Sequence, residues 1–106
     1  MNNEDKQLEE VKIEFYKILN EAKNVCIVAK LKATGASIHD TNACCGNIQN
    51  IDEISKRDAE LKWSKERFLT EILYITKHVF RLNLLISGVS PQEAYILTKE
   101  KFKNKE

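Results

Sequence analysis

Between Glu71 and Arg81 the chain sets a carboxylate, a phenol, an ammonium, an imidazole and a guanidinium at intervals that a helix gathers on one side: Glu71, Tyr74, Lys77, His78 and Arg81. At about 100° per residue they share, with Arg67 and Thr70, a strip covering roughly a third of the helix circumference. Such a set has two chemical uses. Glu71 and His78 are candidate catalytic groups, the imidazole titrating near neutral pH, while Tyr74, Lys77 and Arg81 are candidates for holding an anion, Arg81 through a two-pronged contact with phosphate. The plainer reading is a solvated face laced by Glu71, Lys77 and Arg81, because the central helix of a bundle still needs one wet side.

Sulfur and imidazole donors also occur, at Cys26, His39, Cys44, Cys45 and His78. Adjacent cysteines do not readily face one ion and no Cys-x-x-Cys pair exists, so the thiols read as buried and no metal site is assigned. A Cys/His nucleophilic pair has no signature here. Trp63 and Tyr95, near helix ends, read as packing anchors. Without a basic face around them, nucleic acid is not an expected partner.

The element that positions the polar strip runs from Ser64 to Ser87. Apart from the strip it is nearly all apolar, with Phe68, Leu69, Ile72, Leu73, Ile75, Val79, Phe80, Leu82, Leu84 and Ile86 covering the remaining two-thirds of the surface, which suits the central helix of a bundle. Thr76 and Asn83 interrupt that arc. A polar residue buried in an apolar seam typically fixes register or partner choice, and both are assigned to an interface.

Around this helix, 106 residues make one domain, residues 1–106, near the size at which a second subunit often supplies missing burial. Few glycines, a single proline and long periodic runs favour helices. Seventeen basic and sixteen acidic side chains leave a net charge of +1, which excludes a global field for nucleic acid or anionic membrane. The longest wholly apolar run, Val25 to Ala29, is far short of a membrane span and the first residues are not a signal sequence, so no membrane association and a cytoplasmic location are expected. Three cysteines, two of them adjacent, fit a reducing compartment.

From Glu4 to Lys32, Leu8, Val11, Phe15, Ile18, Ala22, Val25 and Ala29 recur at heptad spacing, and Val11 and Ile18 are placed at an interface. Gly35 is read as the C-cap of this helix. Residues 34–50 show no sustained period and read as an irregular connection, with at most a short helix at Asn42–Cys45 that Gly46 weakens. Ile51 to Trp63 reads as helical and mostly exposed. Ser64 caps the central helix, and Ser90-Pro91-Gln92-Glu93 is a capping box opening a last helix that folds back antiparallel. Its apolar stripe is Ala94, Tyr95, Thr98 and Phe102, and the tail from Lys99 onward frays.

The apolar helix with Glu71, the Gly88–Ala94 turn and the ending Lys99-Glu-Lys-Phe-Lys-Asn-Lys105 resemble the C-terminal half of the all-α nucleoside triphosphate pyrophosphohydrolases, the superfamily of MazG proteins and dimeric dUTPases. Lys62-Trp63-Ser64-Lys65 is similar to a stretch preceding that helix in the dUTPase branch, and His78 falls near a His that branch often carries. The resemblance spans about residues 60 to 104 and implies hydrolysis of a nucleotide to its monophosphate and pyrophosphate, with Mg²⁺ held by two acidic pairs. One pair is a Glu-x-x-Asp on the long helix, and here Tyr74 follows Glu71 at that interval. The other is a Glu-x-x-Glu on an earlier inward-facing helix, whereas Ala22 to Leu31 contains no acid. The acidic metal motif is therefore incomplete, and Mg²⁺ is a cofactor only under this pyrophosphohydrolase alternative.

The expectation is an all-α antiparallel bundle of about four helices. It acts non-catalytically through protein–protein contacts, as an inhibitor, immunity or regulatory factor, without a cofactor and as a homo-oligomer, a dimer first. The alternative is a divergent nucleotide pyrophosphohydrolase or nucleotide-binding protein.

Overall fold

The computed structural model describes residues 2–57 and 62–105. Four helices succeed one another, α1 (Asn3–Lys32), α2 (Ser37–Arg57), α3 (Lys65–Ile86) and α4 (Pro91–Phe102), with no strand among the described residues. The chain is an all-α bundle. Its helix starts follow from local chemistry. Asn2 Oδ1 accepts the Asp5 N–H at 2.8 Å, Ser64 Oγ accepts that of Arg67 at 3.1 Å, and Ser90 Oγ accepts that of Glu93 at 3.2 Å. Each satisfies a donor that the first turn leaves open.

α3 ends where the Val89 N–H reaches Leu84 O at 3.0 Å and the Gly88 N–H reaches Leu85 O at 3.1 Å. That pair of bonds needs a left-handed residue just past the helix, and Gly88 supplies it at φ +91°.

As its wide apolar arc requires, α3 is the helix that touches all three others, while α4 packs chiefly on α3. Phe15 and Leu19 of α1, Ile48 of α2 and Phe68, Ile75 and Leu82 of α3 are fully buried between them. At one end of the core Phe15, Trp63 and Phe68 meet with ring centroids 5.4–5.5 Å apart. The resulting body is flat, with principal extents of 51 × 30 × 15 Å and a radius of gyration of 15.0 Å. A compact domain of this length has a radius of about 13 Å. Much helix surface therefore stays outside.

Several expectations are corrected. Residues 37–50 are not an irregular connection but the first two-thirds of α2, and only Ala33 to Ala36 lie outside helix between α1 and α2. The buried stripe Thr41, Cys44, Cys45, Ile48, Ile51 and Ser55 carries the helix through Gly46, which faces solvent. Beside Ile48 and Ile51 its inward residues are small, polar or sulfur-bearing, so the stripe is weakly apolar in the sequence. Packing of that stripe outweighs the roughly 1 kcal/mol that a helical glycine costs. Gly35, at φ +56°, sits in the turn two residues beyond Ala33, the actual C-cap of α1.

The segment expected to be an exposed helix up to Trp63 is helical to Arg57, with Leu61 outside the described residues and Lys62 to Ser64 non-helical. Within this segment Ile51 is buried, and Trp63 is buried as a packing anchor would be. On α1 the fully buried positions are Phe15, Leu19, Ala22, Cys26 and Ala29, while Val11, Ile18 and Val25 are half-buried at its edge. The heptad holds at Phe15, Ala22 and Ala29, and its alternate positions move by one residue, from Ile18 and Val25 to Leu19 and Cys26. At the other end of the chain α4 does not fray at Lys99. It runs to Phe102, whose ring is buried and meets Phe80 at 5.8 Å.

Candidate functional site

The strip of α3 lies between α2 and α4, and both neighbours add to it. Arg81 Nη2 donates to Asp40 Oδ2 of α2 at 2.7 Å, with both side chains about a fifth exposed. From α4, Tyr95 lies under the Arg81 guanidinium at 5.4 Å, and Lys99 approaches the same ring at 5.8 Å. One turn back on α3, His78 stands edge-on to Tyr74 with centroids 4.6 Å apart. Tyr74, His78, Arg81, Tyr95 and Lys99 border a cavity of about 570 Å³ that also reaches Lys77, Thr98, Phe102 and Lys103, with Asp40 behind Arg81 and outside the lining. The face is a half-buried groove at Lys77, His78 and Arg81 and is open to solvent at Arg67, Thr70 and Tyr74.

Protonation in the groove follows from burial and charge. Desolvation, then the Arg81 and Lys77 charges, push His78 below the ordinary imidazole value, so it is neutral at pH 7. Burial, then Glu71 and Cys44, push the Tyr74 phenol up. Both rings are thus uncharged hydrogen-bonding groups, and the positive charge of the groove comes from Arg81, Lys77, Lys99 and Lys103. No carboxylate is among the described residues lining the cavity. Arg81 Nε is buried without a hydrogen-bond partner, a residual cost in a groove of this kind.

Of the groups singled out by spacing, Tyr74, Lys77, His78 and Arg81 line one cavity, and Glu71 lies on the same strip beside Tyr74 without lining it. Asp40, Tyr95, Lys99 and Lys103 were missed. For three of these the signal existed, because Tyr95, Lys99 and Lys103 recur every fourth residue along one flank of α4. Asp40, in the first turn of α2, carried no such mark. Tyr95 is half-exposed instead of a packing anchor, whereas Trp63 is buried under the Arg67 guanidinium at 4.2 Å.

Thr76 and Asn83 are exposed, a correction to their placement in a buried arc. They stand with Leu69 at seven-residue spacing on an uncovered line of α3, because α1 and α2 pack on one side of it and α4 on another. The three cysteines are free and buried. Burial, reinforced by a hydrogen bond with Cys45, pushes the Cys26 thiol up to about 12, and burial pushes Cys44 up to about 11. Among the described residues no three His, Cys, Asp or Glu side chains form a metal-binding group.

No known protein family, no curated protein and no solved structure matches this chain. None of the helices described is long and apolar enough to cross a membrane.

Proposed function

We propose that the chain works without catalysis, as a cytoplasmic protein that pairs with a second copy of itself and engages a protein partner of the kind an inhibitor, immunity or regulatory factor would bind. The observation that carries this reading is the set of large apolar side chains left outside a flat bundle: Ile13, Ile27 and Leu31 of α1 and Leu69 of α3 are between 47% and 82% exposed. Surfaces of this sort mark association sites when they align along one element, and a short chain gains burial by covering them. The line of Leu69, Thr76 and Asn83 supports α3 as a face for the protein partner. Light scattering at micromolar concentration is expected to give a mass above the 12.3 kDa of one chain. A monodisperse monomer across that range overturns the self-association.

The groove favours a second reading, a divergent MazG or dUTPase-like nucleotide pyrophosphohydrolase or nucleotide-binding protein, with Arg81 and Lys77 toward phosphate. Hydrolysis with Mg²⁺ takes several carboxylates around the ion, and Glu71 is the one acid of the strip. The expected outcome is no pyrophosphate release from dUTP, dCTP or the ribonucleoside triphosphates with Mg²⁺ or Mn²⁺. Turnover that disappears in Glu71→Gln would establish the catalytic reading instead.

A further inference from the structure

The outer line of α1 repeats the heptad interval of the inner one. Ile13, Lys17, Asn20, Asn24, Ile27 and Leu31 are all exposed and follow one another at spacings of four, three, four, three and four, so they form one nearly straight seam on the side facing away from the bundle. Both ends of the seam are apolar, Ile13 being 61% exposed, Ile27 60% and Leu31 82%. Its middle is Lys17 and a pair of asparagines, and the long apolar stem of Lys17 can lie along a facing Ile27 while its ammonium reaches water.

Charge along the same helix is divided by halves. Residues 3–14 hold Glu4, Asp5, Glu9, Glu10 and Glu14 against Lys6 and Lys12, residues 22–32 hold Lys23, Lys30 and Lys32 and no acid, and Lys17 and Glu21 between them cancel. Local dipole compensation accounts for acids in the first turn and bases in the last. It does not account for Glu9, Glu10 and Glu14, nor for the apolar residues on the outer line. A parallel pairing of two such helices would set acid on acid and base on base. An antiparallel pairing sets each acidic half along the other copy's basic half.

We infer that α1 is the self-association surface, and that two copies pack antiparallel along this outer seam. The inference rests on the self-association proposed above and names its surface. In the register that alternates the two heptad positions, Ile13 of one copy meets Leu31 of the other, Asn20 meets Asn24, and Glu10 lies beside Lys32. Every contact occurs twice about a two-fold axis near Ala22, as a closed dimer requires. The apolar ends supply burial and the central asparagines hydrogen-bond across the axis and fix the register. Lys23 keeps its ion pair with Asp52 of its own α2 at 3.5 Å and is not needed for the contact.

The test is a charge exchange on exposed positions that the fold does not use. Glu10→Lys with Glu14→Lys makes both halves of α1 basic, and Lys30→Glu with Lys32→Glu makes both acidic. Each double variant alone is expected to dissociate at a protein concentration about tenfold or more above the wild type's, since like charges then face each other at both ends. An equimolar mixture of the two is expected to form a mixed dimer by native mass spectrometry. Register is read separately by oxidising a mixture of Ile13→Cys and Leu31→Cys, which should cross-link to each other and not to themselves, because like positions lie about 27 Å apart.

A wild-type dimer that survives in both charge variants, or cross-links of Ile13→Cys to itself, overturns the antiparallel α1 seam while leaving self-association standing. A wild type that never dimerises overturns both.

Discussion

His78 couples the groove to pH through its own proton. Its pKa is lowered in the folded chain, by burial first and then by Arg81 and Lys77, so the unfolded chain binds a proton that the folded chain refuses. Stability from this residue is fully present above the unfolded imidazole value, near 6.5, and is lost as pH falls from there through the folded value. Urea midpoints measured between pH 8 and pH 5 are expected to fall toward the acid end, and His78→Gln is expected to flatten that slope. An unchanged slope in the variant would assign the acid sensitivity to other groups. The sequence placed His78 beside Tyr74 and Arg81 correctly, because a helix fixes neighbours at three and four residues by geometry alone. That Arg81 pairs with Asp40, 41 positions away, was not legible, because no local rule relates the two.

At the scale of the element, α2 is the instructive case. Its period was present but carried, apart from Ile48 and Ile51, by Thr41, Cys44, Cys45 and Ser55, residues that become apolar in effect only once another helix covers them. Gly46 occupies ordinary helical backbone on the outer face, and a methyl group added there meets nothing within 4 Å. Gly46→Ala is therefore expected to stabilise the protein by about 0.5–1 kcal/mol, chiefly by lowering the freedom of the unfolded chain. Gly88 has equal space but stands at φ +91°. Gly88→Ala should cost about 1–2 kcal/mol, because a Cβ opposes the left-handed backbone that the α3 ending needs. Chemical denaturation of the two variants side by side checks the pair of opposite signs, and equal signs would contradict this account of the two backbones.

For the whole molecule, what matters is how little of α1 the bundle covers. With a 15 Å short dimension the fold has room for no more than two layers of helix, which leaves α1 with an inner and an outer line. If the outer line is covered by a second copy, part of the stability belongs to the pair. The melting temperature is then expected to rise with protein concentration and to lose that dependence in Lys30→Glu/Lys32→Glu. A concentration-independent transition in the wild type would mean that the folded monomer carries all of the stability itself.

The sequence by itself determined the helical class, the limits and caps of α3 and the start of α4, and the gathering of Tyr74, Lys77, His78 and Arg81. All of these depend on interactions within a few residues: periodicity, an N-cap hydroxyl, a left-handed glycine. The tertiary structure alone decided that α2 persists through Gly46, that Thr76 and Asn83 face outward, that Phe102 docks, that Asp40 pairs with Arg81, and that the Tyr95, Lys99 and Lys103 flank of α4 closes the groove. Those outcomes depend on which helix covers which face. α3 is apolar around two-thirds of its surface, so its pattern could not say which part its three neighbours would leave open.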